Sequence, residues 1–110
     1  MKLVSFDGIG QVTATFTAQE GVEAGMPVKL SANGTVAPCG DGDPLNAVAV
    51  LVKNGCAAVQ VRGFVRCKAT GLSAGTVKLS ADGSGGVKQD ASGTAFLVAE
   101  ADDESATVLL

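Results

Sequence analysis

The sequence predicts an all-β protein: a small, partly open β-barrel or a sandwich built from two similar halves. Three observations support this. Several short runs alternate apolar and polar residues, fifteen glycines are spread through the chain, and a segment of about 50 residues occurs twice. Glycine is unfavourable inside helices and frequent in turns, so its distribution opposes long helices. Eight to ten short strands are therefore expected.

The repeat is the most informative feature. Residues 21–34 contain G-x-x-A-G followed by V-K-L-S-A-N-G, and residues 71–83 return the same pattern, ending in V-K-L-S-A-D-G, with one residue fewer. Similar flanks extend the two units to residues 21–61 and 71–110, with residues 47–49 aligned to 97–99. We expect a single β domain over residues 9–110 in which residues 28–32 and 77–81 form equivalent strands.

Individual strands follow from residue alternation. In residues 11–18, Val12, Ala14, Phe16 and Ala18 fall on one face and three threonines on the other, which is typical of a half-buried strand. Residues 47–52 have no polar residue and predict a strand buried on both sides. Val59, Val61 and Val65 resume the alternation, with Gly63 as a bulge or bend.

Two dipeptides predict hairpin turns. Asn33-Gly34 and Asp82-Gly83 each follow an alternating run, and both are typical of type I′ turns, in which both central residues have positive φ. Each repeat is therefore expected to begin with a tight hairpin.

Composition and charge exclude several classes of function. The chain has no histidine, which removes the commonest general base and most zinc and haem sites, so we expect neither an enzyme nor a cofactor. A net charge of −3 opposes nucleic-acid binding. The longest apolar run, residues 47–52, is far shorter than the roughly 20 residues of a membrane helix, so no membrane contact is expected. The first residues lack a secretion signal, which favours the cytoplasm.

Four groups of residues are candidates for a chemical site. Asp41 with Asp43, and residues 102–104, could hold Ca²⁺, but solvated turns have the same composition. Residues 83–86 resemble a phosphate-binding loop without its Gly-Lys-Ser/Thr ending, and a hairpin connection explains them better. Cys39 has no histidine to act as its base. The sequence therefore predicts no catalytic residue and no metal site.

The cysteines are odd in number and lack C-x-x-C spacing. One disulfide among Cys39, Cys56 and Cys67 could form in three ways and would leave one free thiol. For a cytoplasmic protein, three reduced thiols are expected.

Charge is unevenly distributed along the chain. No acid lies between Asp43 and Asp82, and this segment carries five basic residues, whereas residues 82–110 carry six acids and one lysine. The distribution is either accidental or indicates contacts between subunits or with an acidic surface. In the second interpretation the contacting residues are Lys53, Arg62, Arg66 and Lys68.

Four segments together resemble the head decoration (capsid cement) proteins of tailed phages and prophages. They are G-x-x-A-G-x-P-V-x-L at residues 21–30, G-T-V-A-P at 34–38, G-D-P-L-N-A-V-A-V at 42–50, and V-x-V-R-G-x-V at 59–65. The resemblance covers roughly residues 10–110. Ala47 stands where the family usually has glycine.

The resemblance implies a structural protein, made in the bacterial cytoplasm, that binds the outer surface of an assembled capsid and stabilises it. The implied partners are the major capsid protein and further copies of the chain, as a trimer. It also implies an N-terminal arm over residues 1–8 that contacts the capsid through Lys2, Leu3, Val4 and Phe6. The alternative is an exported β-rich or surface-layer module that recognises glycan or another protein. Glycan sites usually contain Trp or Tyr, and the chain has neither.

Overall fold

The computed structural model describes residues 10–110, which form ten β-strands. The strands are β1 Val12–Ala18, β2 Pro27–Ala32, β3 Thr35–Pro38, β4 Ala47–Lys53, β5 Cys56–Arg62, β6 Phe64–Ala69, β7 Gly75–Ala81, β8 Gly86–Gln89, β9 Thr94–Ala101 and β10 Ser105–Leu109. The predicted all-β class is confirmed. The expected arm over residues 1–8 lies outside the described residues.

The strands form two closed barrels of five strands each. β1 to β5 close in the order β1-β3-β2-β4-β5, and β6 to β10 close in the order β10-β6-β8-β7-β9. In each barrel the first strand pairs in parallel with the third and antiparallel with the fifth. The strands therefore correspond one to one, β1 with β6 through to β5 with β10. The prediction of two similar halves is confirmed.

The two copies of V-K-L-S-A lie on the equivalent strands β2 and β7, as predicted, but they pair in different registers. Leu30 lies opposite Val36 of β3, whereas Ala81 lies opposite Val87 of β8. The difference arises because the second copy connects its strands through residues 82–85, two residues more than Asn33-Gly34. Counted from the third strand of each barrel, Leu30 of β2 therefore has the position that Ala81 has in β7.

The loop between β3 and β4, residues 39–46, leaves the first barrel and contacts the second; we call it the latch loop. The Gly42 N–H donates to the carbonyl of Ala81 at 2.9 Å, and the Ala81 N–H donates to the carbonyl of Asp43 at 2.9 Å. Pro44 forms a β-bridge with Ser80. The latch loop thus extends the sheet of the second barrel at the edge of β7.

Each barrel encloses its own hydrophobic core, and the second core includes two residues of the first half. Leu45 and Val48 are 2% and 0% exposed and pack among the buried residues of the second barrel. The remaining members of that core are Val65, Cys67, Ala69, Leu79, Val87, Val98, Ala106 and Val108. The first core contains Val22, Val28, Val36, Ala49, Ala57 and Val59. The two barrels are therefore joined by a shared core as well as by the chain.

Gly63 is the single residue between β5 and β6, and the predicted bend is confirmed there. Its φ is +95°, a value that glycine adopts without strain. It is buried, and a Cβ at this position would lie 2.8 Å from the Gly10 carbonyl oxygen and 2.9 Å from the Gln11 backbone. The close approach at the barrel junction thus requires glycine.

Three expectations about local structure were wrong. The strand over residues 47–52 is not buried on both sides: a bulge between Ala49 and Leu51 leaves Leu51 60% exposed, because the second barrel covers only the Val48 end. Asn33-Gly34 is not a type I′ turn, since only Gly34 has positive φ. Both central residues have positive φ at Asn54-Gly55 instead, which joins β4 to β5. Asp82-Gly83 lies in the four-residue connection 82–85 between β7 and β8 and does not form a two-residue turn.

Candidate interaction surface

The four basic residues expected to make contacts do not form one patch. Lys53 lies opposite Cys56 at one end of β5, and Arg62 lies at the other end, about 20 Å away at 3.3 Å per residue. Arg66 and Lys68 are exposed neighbours on the same face of β6. Their contact with a partner stays a prediction.

Arg66 is neutralised within the chain. Its Nη2 lies 3.0 Å from Asp102 Oδ2, and its Nη1 lies 3.8 Å from Glu100 Oε1. The fold therefore brings part of the basic middle segment against the acidic C-terminal segment. Lys53, Arg62 and Lys68 form no ion pair with an acid in residues 10–110.

An open groove of about 620 Å³ lies between the two barrels. Its walls include Glu23 and Met26 from the first barrel and Lys68, Glu104 and the paired Arg66 from the second. Charges of both signs line it, and the Ser105 hydroxyl in its wall lies 3.3 Å from Asp102 Oδ1, within the turn that Asp102 holds. The groove is therefore lined by both apolar and charged side chains, several of them from loops.

The first candidate Ca²⁺ site, Asp41 with Asp43, holds a loop in place. Asp43 Oδ2 accepts the Gly40 N–H at 2.7 Å and pairs with Lys29 Nζ at 3.0 Å, and these contacts lower the pKa of Asp43. Asp41 Oδ1 accepts from Lys88 Nζ at 2.6 Å, which raises the pKa of that lysine. Both acids therefore anchor the latch loop, Asp41 to the second barrel and Asp43 to the first.

The second acidic group also stabilises a turn. Asp102 Oδ1 accepts the backbone N–H groups of Glu104 and Ser105, each at 2.9 Å, and these bonds lower the pKa of Asp102. This geometry caps the connection between β9 and β10. Among residues 10–110 there is no group of three or more Cys, Asp or Glu side chains placed to hold a metal ion.

The glycine-rich segment 83–86 directs its N–H groups to a side chain of the same loop. Asp82 Oδ1 accepts from Ser84 N at 2.7 Å and from Gly86 N at 3.0 Å. A bound phosphate would have to displace this carboxylate. The arrangement is that of a strand connection.

The three cysteines are free thiols in different surroundings. Cys39 and Cys67 are buried, whereas Cys56 is exposed beside the β4–β5 turn. Burial raises the pKa of Cys67 to about 11, and burial together with Asp43 raises the pKa of Cys39. A nucleophilic cysteine needs the opposite shift, because the thiolate is the reactive form.

These shifts predict a pH-dependent stability. Folding favours the protonated Cys67 thiol, so its contribution is present below the unfolded-state pKa near 9 and is lost as pH rises towards 11. The loss is roughly 2–3 kcal/mol. Urea unfolding at pH 7.5, 9 and 10.5 measures it, and Cys67→Ala should show a smaller decrease over the same range. An equal pH dependence in both proteins would contradict the assignment to Cys67.

Large apolar side chains on the surface are a feature that the sequence analysis did not predict. The exposed ones are Val12, Leu30, Leu51, Leu97 and Leu109. Leu97 and Leu109 lie directly opposite each other on β9 and β10, so their side chains share the outer face of the second barrel. A signal was present: Leu109 follows Val108, and adjacent strand residues cannot both face the core.

Comparison with known proteins does not assign the chain to a family. No protein-family model matches the chain, and no curated protein matches it. Within residues 10–110 no helix has the length and hydropathy needed to cross a bilayer.

Proposed function

We propose that this protein is a head decoration protein, which binds the outer surface of a tailed-phage or prophage capsid and stabilises it. The resemblance of residues 21–30, 34–38, 42–50 and 59–65 to that family supports the proposal. The all-β fold, with two closed barrels and short connections, suits a rigid structural protein.

One observation carries the proposal. The carboxylates that could have supported chemistry, Asp41, Asp43 and Asp102, hold loops, while five large apolar side chains lie exposed on the barrels. Of these five, Leu97 and Leu109 are adjacent, and contiguous exposed apolar surface is typical of protein-contact sites. Binding another protein is therefore better supported than catalysis.

The proposed partner is the major capsid protein, and the protein is proposed to act as a trimer. It would be made in the bacterial cytoplasm and reside on the virion surface. The proposed capsid contacts are Lys2, Leu3, Val4 and Phe6, which lie outside the described residues. The basic residues Lys53, Arg62 and Lys68, which form no ion pair with an acid in residues 10–110, are proposed to contact the capsid or another copy of the chain. Arg66 is a weaker candidate for a contact than these residues, because it already forms an ion pair with Asp102.

Co-sedimentation with capsids tests the proposal. The purified protein is expected to pellet with expanded heads of a candidate phage and to remain in the supernatant without them. Protein that stays in the supernatant with both unexpanded and expanded heads would argue against decoration.

The arm is tested in the same assay. Deletion of residues 1–7 should weaken binding by at least tenfold, because the apolar contacts of three side chains are lost. A variant that keeps the length but carries Leu3→Ser, Val4→Ser and Phe6→Ser separates side-chain contact from chain length. Unchanged binding by both variants would show that the arm is not the anchor.

A further inference from the structure

The outer face of β4 and β5 joins the first barrel to the second; we call it the joining face. Its central residues, Val48 and Gln60, are cross-strand neighbours that point outward, because Ala49 and Val59 beside them belong to the first core. Val48 packs in the core of the second barrel, and Gln60 Nε2 donates to the Phe64 carbonyl at 2.7 Å. Phe64 begins β6, so the joining face lies against the start of that strand.

This contact covers one end of the second barrel. Val65 lies opposite Val108 in the second core and is 6% exposed, although it is only the second residue of β6. Val65, Gln60 and Val50 of β4 line one small groove at the junction, and Val50 also packs against the second core. The joining face therefore lies over the end of the second barrel at which β6 begins.

The counterpart of the joining face on the second barrel is exposed. In both barrels a bulge lies just beyond this cross-strand pair, so Val48 with Gln60 corresponds to Leu97 with Leu109. Val48 and Gln60 are 0% and 2% exposed, whereas Leu97 and Leu109 are 44% and 36% exposed. We call Leu97 and Leu109 the leucine pair. It presents two large apolar side chains at a position that is buried in the other barrel.

The counterpart of the covered barrel end lies on the first barrel and is open. Over residues 13–17 the pairing of β1 with β5 matches that of β6 with β10, so Ala14 corresponds to Val65. Ala14 lies opposite Val59 of the first core and shares its inward face, yet Ala14 is exposed. Val12, the first residue of β1, is 52% exposed. We call Val12 and Ala14 the open end.

We propose that the leucine pair of one copy packs over the open end of a second copy, head to tail, as the joining face packs over the second barrel within the chain. The chain contains this interface once, and each barrel carries one exposed counterpart of its two sides. Both exposed sides are apolar and uncharged. A head-to-tail interface closes into a ring when its rotation allows. In a closed trimer the barrels of all three copies would lie in one ring.

The interface between copies is weaker than the internal junction. Leu109 has no donor to replace Gln60, and the latch loop of residues 39–46 corresponds only to the short turn of residues 90–93 between β8 and β9. That turn is closed on itself, since Gly93 N donates to the Asp90 carbonyl at 2.8 Å. Copies therefore join through apolar contact, and association should depend on protein concentration.

Single substitutions test the two sides separately. Light scattering during gel filtration at micromolar concentration should show the unmodified protein as an oligomer and both Leu97→Glu and Val12→Glu as monomers. Leu30→Glu is the matched control and should remain oligomeric, since Leu30 is 66% exposed but belongs to neither side. Circular dichroism checks folding, and Leu109→Glu or Ala14→Glu replaces a variant that does not fold.

Three results would overturn the proposal. They are an unmodified protein that is monomeric, a folded Leu97→Glu or Val12→Glu variant that remains oligomeric, and a Leu30→Glu control that dissociates as they do. The last result would show that any added charge on the surface separates the copies.

Mixing the two variants tests the head-to-tail geometry. Val12→Glu keeps an intact leucine pair and Leu97→Glu keeps an intact open end, so the mixture should form a one-to-one dimer that cannot grow. A mixture that stays monomeric would contradict a head-to-tail interface.

The inference rests on the oligomer part of the proposed function and does not depend on capsid binding. An oligomer with the expected variants that ignores capsids would overturn only the proposed function. A monomer that binds capsids would overturn only this inference.

Discussion

Replacing Leu45 by alanine is expected to destabilise the protein by about 2–5 kcal/mol, the range for removing a large buried aliphatic side chain. Leu45 belongs to the first half of the chain but is 2% exposed within the core of the second barrel. The substitution would leave a cavity and remove the apolar anchor of the latch loop. Since the free energy of unfolding of native proteins is about 5–15 kcal/mol, this loss is a large part of the total stability.

Urea unfolding followed by circular dichroism measures the effect, with Leu51→Ala as the control. Leu51 is 60% exposed, so its truncation should change the unfolding free energy by less than about 0.5 kcal/mol. Similar values for the two variants would mean that Leu45 does not join the barrels.

The second large effect is expected for Gly63→Ala, with a loss of about 2–5 kcal/mol from backbone strain and steric overlap. The φ of Gly63 is +95°, and the added Cβ would lie 2.8 Å from a backbone oxygen that cannot rotate away. Either the barrel junction opens or the chain at Gln11 shifts.

Gly25→Ala separates the two causes. Gly25 has a similar φ of +89° but no atom within 4 Å of an added Cβ, so only the strain of about 1–2 kcal/mol should remain. Thermal unfolding of both variants gives the difference. If Gly63→Ala costs no more than Gly25→Ala, the close approach at the junction is not a constraint.

Much of the fold could be predicted from local patterns. The alternation in residues 11–18 and the doubled V-K-L-S-A gave the strand type and the duplication, because both depend on residues near in sequence. The register of the repeat could not be predicted in this way. Two additional residues in the connection 82–85 shift β7 against β8, and the buried residue that matches Val28 is then Leu79 and not Val77.

The contacts between the two halves could not be predicted from local sequence patterns. Nothing near Leu45 in the sequence indicates that it packs in the other barrel, because that contact depends on the path of the latch loop. For the same reason the exposed apolar side chains could not be predicted: Leu30 and Leu79 hold the same place in the sequence repeat, but only Leu79 is buried. The uneven charge along the chain is partly balanced within the fold, since Arg66 pairs with Asp102, 36 residues away.

We propose that the protein stabilises an assembled capsid, and calorimetry of expanded heads with and without it tests this directly. A protein that binds the assembled shell more tightly than its dissociated subunits must raise the temperature at which the shell comes apart. The account predicts a higher transition temperature that rises with added protein until the sites are full. Heads that bind the protein but melt at an unchanged temperature would contradict it.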